Sequence, residues 1–465
     1  MPAFMPHFPA GFTWGVSTSA YQIEGATSDN GRGPSIWDSF THSRGTVVDG
    51  STGDIACDHY HRYAEDVALL AGLGVGAYRF SVAWPRIQPD GTGPANPAGL
   101  AFYDRLVDSL LERGIDPVAT LFHWDLPQAL EDRGGWLARE TAHRFADYAT
   151  LVAGRLADRV KLWITLNEPF VHMSYGYGLG VHAPGRQRLF DAFPVTHHQL
   201  LGHGLAVTAL RTLTSSPIAI TNDYSPVRVL GDTDADRLAA GAYHALHNRL
   251  FTDPILGLGY PEVPGADAAV IQPGDLDTIA APIDALGVNY YNPTGVRAPT
   301  DPGNPLPFDL VPLPGYPTTS FGWPVDPDGL WELLTGLRHE YGDRLPPIHI
   351  TEGGCSYDDT LDADGHCHDP ERIAYLDGHL RAVHRAIVDG VDVRGYFVWS
   401  LLDNFEWAEG YTKRFGLVHV DFATQRRTPK TSYTWYRDMI NTGAVAPTGA
   451  LAPTGAVDVA PADAG

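Results

Sequence analysis

A chain of 465 residues, 44% hydrophobic and 19% charged, has the apolar content for a large core, which excludes a disordered or coiled-coil chain. Its 32 basic against 55 acidic residues leave a formal charge of −23, so nucleic acid and anionic membranes are repelled and a neutral or cationic small ligand is favoured. Three cysteines, Cys57, Cys355 and Cys367, lack framework spacing and suit a reducing compartment, with the cytoplasm as the expected location.

The opening MPAFMPHFPAGFTWG has no basic leader before an apolar core, and no window reaches the ~18 apolar residues of a membrane span. The first apolar run, 12–19, predicts a strand, and HRYAEDVALLAGLG after it carries apolar residues three and four apart and stops at glycine. The same alternation repeats. Strands are predicted at 77–84, 117–124, 162–168, 218–224, 286–291, 348–352 and 395–401, and helical patterns at LAFYDRLVDSLLERG, TAHRFADYATLVAGRLADR, DGLWELLTGLRHEYG and ERIAYLDGHLRAVHRAIVDG. Strands alternating with helices in this way predict a single α/β domain, a (β/α)₈ TIM barrel over residues 1–443. An open doubly wound sheet is the other candidate, but no glycine-rich phosphate fingerprint follows the first strand. Residues 293–325 are too rich in proline and glycine for regular structure and predict a loop over a site. Residues 444–465 repeat APTGA, lack large apolar residues, and predict a disordered Ala/Pro/Gly-rich tail.

Catalytic groups of such barrels stand at the carboxyl ends of the strands, and here those ends are polar. Arg79 closes the second strand, His123 the third, Asn167 and Glu168 the fourth, Asn289 and Tyr291 the sixth and Glu352 the seventh; Trp399 lies in the eighth, followed by Glu406 and Trp407. One glutamate at a strand end is usually a cap or an ion-pair partner; agreement among five strands points to a site. Glu168 and Glu352 would project into one cavity, and two facing carboxyls are the equipment of glycoside hydrolysis. Their separation, roughly 5 Å for a retaining and roughly 6.5–9.5 Å for an inverting route, leaves both routes open at this point. Trp124, Trp399 and Trp407 offer flat apolar faces to a sugar ring, and Gln22, His123, Asn167 and Glu406 offer partners to its hydroxyls.

The ordered set FTWGVSTSAYQIEGA, DHYHRYAEDVALL, YRFSVAWPRI, LFHWDLPQAL, TLNEPF, GVHAPG, LGVNYY, ITEGG and VWSLLDNFEWAEGYTKRFGLVHVD resembles glycoside hydrolase family 1, the β-glucosidase family, over residues 8–436. The resemblance implies a retaining exo-acting β-glycosidase, with Glu168 as general acid/base, Glu352 as nucleophile, and Arg79 and Tyr291 orienting Glu352. It further implies Asn167 at the sugar 2-hydroxyl, Gln22 and Glu406 at the outer hydroxyls, His123 and Trp407 at the 3-hydroxyl and Trp399 beneath the ring, with Trp124 and Asn289 also binding substrate. Glu406 stands where phospho-glycosidases of the family have serine near a lysine, which implies an unphosphorylated glucoside. Phe170, Trp323 and Phe415 are expected on the aglycone side. The sequence departs from the family at Gly353, where asparagine is usual, and at Phe170, where tryptophan is common.

A transglycosylase and an enzyme of broad galactoside or fucoside specificity are the alternatives; a noncatalytic sugar-binding protein is remote because both glutamates are present. No cofactor is expected. No metal is expected either, because His59 and His61 in DHYHRYAED face apart on a helix and DADGHCHD lacks full ligand spacing. Cys355, without a matched base, reads as a small buried residue. The expected partner is a small β-glucoside or short oligosaccharide; a homo-oligomer is compatible with the sequence.

Overall fold

The computed structural model describes residues 7–445 except 264, 265 and 267. Eight parallel strands close on themselves: β1 (Thr13–Ser17), β2 (Ala77–Ser81), β3 (Asp116–Phe122), β4 (Leu162–Asn167), β5 (Ile218–Asp223), β6 (Ala285–Asn289), β7 (Ile348–Gly353) and β8 (Val393–Trp399). Closure is direct, since Ser17 on β1 pairs in register with both Arg79 on β2 and Trp399 on β8. The fold is therefore a TIM barrel, and the open doubly wound sheet is excluded.

Apolar residues on alternate positions fill the barrel, where Ala77, Val118, Leu162, Ile164, Ala219, Ala285 and Phe397 form their own cluster. The Phe397 ring is bulky enough to require glycine opposite: a Cβ on Gly15 would lie 2.3 Å from Phe397 Cδ1. Outside the strands run helices whose apolar stripes face the barrel, among them His59–Leu73, Pro97–Glu112, Glu140–Leu156, Pro327–Tyr341 and Pro370–Val388. The first of these ends as its sequence predicts, with Gly74 left-handed at φ 78° and its N–H returned to the last turn.

Two irregularities aim the site. On β4, Thr165 points outward to His203 at 2.7 Å, so strict alternation would send Asn167 outward as well. The β4–β5 register slips between Ile164 and Asn167, and Asn167 turns inward. On β7, Thr351 already faces the interior, bonding Asn289 at 2.7 Å, yet its neighbour Glu352 faces inward too because the register shifts between Ile350 and Glu352.

The expectation that 293–325 lacks regular structure is corrected. Thr294–Arg297 pairs with Val227–Val229 on one side and Asp309–Val311 on the other, a small sheet outside the barrel. Its core of Val296, Phe308, Ala239, Ala240 and Tyr243 supplies the burial that so proline-rich a segment lacks alone. Ala444 and Val445 are buried, Ala444 bridging His7; the predicted tail from 446 onward lies outside the described residues. Among those described, no helix is long and apolar enough to cross a membrane.

Candidate active site

At the carboxyl ends of the strands, five buried side chains and the half-buried Tyr291 form one connected set. Arg79 donates from Nη1 to Glu352 Oε1 at 2.6 Å and from Nη2 to Asn167 Oδ1 at 2.6 Å. Asn289 Nδ2 donates to Asn167 Oδ1 at 3.2 Å and to Glu168 Oε1 at 2.7 Å. Tyr291 completes the second oxygen of Glu352, donating to Oε2 at 2.7 Å. Arg79 is itself fixed from behind by Thr120 Oγ1 and the Thr351 carbonyl, both at 3.1 Å, so Glu352 is presented on a rigid support.

The two carboxyls are unequal. Burial drives Glu168 well above the usual carboxyl range, the charges of Glu352 and Asp223 push the same way, and the Asn289 amide and the Arg79 charge oppose them without reversing the rise. Burial also raises Glu352, but Arg79, then Tyr291 and Asn289, hold its charged form against that rise. Glu352 therefore ionises first and Glu168 keeps its proton. Burial raises the Tyr291 phenol well above its ordinary range, so it stays a donor.

Above this floor lies a cavity of about 450 Å³. Trp399, Trp407, Trp124 and His123 form its aromatic wall, with His123 stacked at 20° on Trp399 (5.8 Å) and on Trp407 (6.0 Å). His123 Nε2 meets Asn167 Nδ2 at 3.1 Å, while its Nδ1 is buried with no partner among the described residues. Burial and then the Arg79 charge hold this imidazole neutral. Glu406 lines the wall; burial, aided by Glu352, pushes its carboxyl up to about 8. Gln22 is fully buried behind it, its Nε2 at 3.3 Å from Glu406 Oε2 and its Oε1 taken by Ser19 at 2.6 Å. No lysine or arginine lines the cavity among the described residues.

A barrel with paired carboxyls of unlike acidity beside an aromatic wall has a match among known proteins: the model of glycosyl hydrolase family 1 fits residues 5–444. The chain belongs to glycosyl hydrolase family 1. Thermostable β-glucosidase B of Thermobispora bispora is 53% identical over 93% of this chain and 90% of its own. The bifunctional β-D-glucosidase/β-D-fucosidase of Bifidobacterium breve is 46% identical over 93% of this chain and 98% of its own. The solved β-glucosidase of Thermotoga maritima in complex with glucoimidazole superimposes with a TM-score of 0.90 at 43% identity, covering 94% of this chain and 99% of that one.

Two departures from the family pattern have structural accounts. A Cβ at Gly353 would lie 2.6 Å from the Tyr396 hydroxyl, so tyrosine on β8 occupies the space a side chain would need. Phe170, expected on the aglycone side, is not on the cavity wall: it packs behind His247, ring centroids 4.3 Å apart, and His247 lines the cavity in its place. Trp323 does line the cavity, stacked at 12° and 4.3 Å on Phe321, with Phe415 and Tyr291 closing the cluster. Both Phe321 and Trp323 come from 293–325, so this segment walls the mouth.

Several wall residues carry no signal in the sequence. Asp223 ends β5 and pairs with His247 at 3.0 Å, which Tyr243 holds from the other ring nitrogen at 2.7 Å. Tyr175 comes from an irregular helical stretch after β4, His172–Leu179, and Val181 and His182 from the loop that follows it; burial pushes His182 down to about 4. Only the strand-end position of Asp223 could have flagged it. The candidate metal motifs hold pairs: His59 meets Asp66 at 2.8 Å in the interior, while His61 stands exposed beside Asp58. Cys355 is buried, its thiol pushed up to about 12.

Proposed function

We propose that the protein is a retaining exo-β-glucosidase acting on unphosphorylated β-glucosides, with Glu352 as nucleophile and Glu168 as acid/base. The inequality between the two buried carboxyls supports these roles: one is held charged by Arg79 and Tyr291, the other receives a single amide hydrogen bond. In the first step Glu352 attacks the anomeric carbon while Glu168 gives its proton to the glycosidic oxygen, and the aglycone leaves as an alcohol. In the second, the Glu168 carboxylate takes a proton from water, the oxygen attacks the anomeric carbon, and the bond to Glu352 breaks. Glucose leaves with its configuration retained and Glu168 reprotonated.

Asn167 Nδ2 has a second hydrogen beyond its contact to His123, suited to the sugar 2-hydroxyl. Trp399 and Trp407 suit the apolar face of the ring, with Glu406 and His123 at its hydroxyls. A 6-phosphate would meet Glu406 and no cation, which supports an unphosphorylated sugar. Similarity to the Bifidobacterium breve enzyme supports β-fucosides as further substrates. Three buried, unpaired thiols support a reducing compartment, the cytoplasm.

The test is hydrolysis of p-nitrophenyl β-glucoside by the native protein and by Glu352→Gly. The native protein should turn over, and the variant should be inactive until azide is added and then release the inverted glycosyl azide. A variant that keeps most of its activity without azide would remove Glu352 from the mechanism.

A further inference from the structure

Strand order β4–β5–β6 sets Asp223 beside Glu168. Glu168 follows the last residue of β4, and its backbone N–H donates to the Thr221 carbonyl on β5 at 2.9 Å. Asn289, at the end of β6, pairs in register with Asp223 and reaches across the end of β5 to bond Glu168 Oε1 at 2.7 Å. The Glu168 carboxyl thus lies in front of the carboxyl end of β5, where Asp223 stands, and both line one cavity.

Asp223 is not free to swing away. His247 grips its Oδ2 at 3.0 Å, and that imidazole is fixed by the Tyr243 hydroxyl at 2.7 Å and by the Phe170 ring against its face. We propose that Asp223, held by His247, is a positioning residue that keeps Glu168 protonated through the first chemical step. The inference rests on Glu168 being the acid, as proposed above.

The titratable groups facing Glu168 are Glu352 from β7, Arg79 from β2, Tyr291 after β6, Tyr175 from the stretch after β4 and Asp223 from β5. Arg79 is engaged with Glu352 and Asn167, which leaves two carboxylates opposing loss of the Glu168 proton. They differ in one respect. Glu352 loses its charge when it bonds to the sugar, so in the covalent intermediate Asp223 is the remaining carboxylate of the pair acting on Glu168. Around Asp223 itself stand His247, Tyr243, Tyr175 and Glu168.

The experiment compares kcat/KM against pH for the native protein, Asp223→Asn, Asp223→Glu and Glu168→Gln, each with phenyl β-glucoside and 2,4-dinitrophenyl β-glucoside. Phenolate needs a proton to leave, whereas dinitrophenolate leaves without one. Asp223→Asn should move the alkaline limb for the phenyl substrate down on the order of half a pH unit. Asp223→Glu should restore the limb, and the dinitrophenyl rate should stay near native, which also shows that the variants fold. An Asp223→Asn limb that coincides with native while KM for the phenyl substrate rises would overturn the inference and leave Asp223 a contact for the aglycone. Persistence of the native limb in Glu168→Gln would instead overturn the acid assignment beneath it.

Discussion

Tyr396 fills the volume beside Gly353, and its buried hydroxyl has no hydrogen-bond partner among the described residues. Restoring the family's asparagine there would therefore overpack the strand behind Glu352 without giving it a supported place. Gly353→Asn is expected to destabilise the protein by about 1–3 kcal/mol. Tyr396→Phe in the same chain should recover part of the loss by removing the oxygen that a Cβ meets first. Thermal midpoints of the two variants decide this, and no recovery on adding Tyr396→Phe would mean the crowding has another source. At this scale the site was legible where chemistry needs a particular group: Glu168, Glu352, Arg79, Asn167 and Tyr291 are hydrogen-bonded as a set. It was illegible where shape decides. Phe170 carries an aromatic ring in a pocket-like sequence position, yet the residue that lines the cavity there is His247, about 80 positions on, and only packing relates the two.

Among the elements, alternation gave the barrel strands because each buries one face inside and the other under helices. It failed at the ends of β4 and β7, where register shifts turn Asn167 and Glu352 inward against the pattern. The helix Phe193–Arg211 was hidden for another reason: it is buried around most of its circumference, with His197, His198, Gln199 and His203 inside, so it has no apolar stripe to read. The segment 293–325 is held over the cavity by a few contacts. Lys413 Nζ donates to the Ser320 carbonyl at 2.8 Å and stands 5.0 Å above the Phe321 ring that supports Trp323. Lys413→Met removes a charge-assisted hydrogen bond and a cation–π contact while keeping the stem. The expected result is a roughly threefold to tenfold rise in KM for aryl β-glucosides with little change in kcat, since only ground-state holding of the aglycone is lost. Steady-state kinetics on p-nitrophenyl β-glucoside measures it, and a fall in kcat with unchanged KM would contradict this role.

For the molecule as a whole, the closing joint is a buried ion network on the loops after β7 and β8. Lys430 is fully buried and donates to Asp359 at 2.6 Å and to Asp403 at 2.7 Å. Arg372 pairs with Asp359 and Asp369 at 2.7 Å each, and Arg414 with Asp403 at 2.7 Å. The chain holds only three lysines, at 161, 413 and 430, and two of them fasten the segments that frame the site. Burial alone would raise Asp403, but Lys430 and Arg414 outweigh it and its carboxyl lies below the usual range. Its ion pairing thus adds stability that is present above the unfolded carboxyl range and is lost as pH falls through the lowered folded value. Lys430→Met leaves Asp359 and Asp403 buried with less positive charge, a change that costs about 3–5 kcal/mol. Without that cation burial is opposed by Arg414 and Arg372 alone and the folded value of Asp403 rises, so the variant loses stability relative to the native protein as pH rises. The gap in thermal midpoint between native and Lys430→Met, at one scan rate, should be wider at pH 8 than at pH 5. An equal gap at both values would mean that the cost is lost packing around the lysine stem and not uncompensated charge.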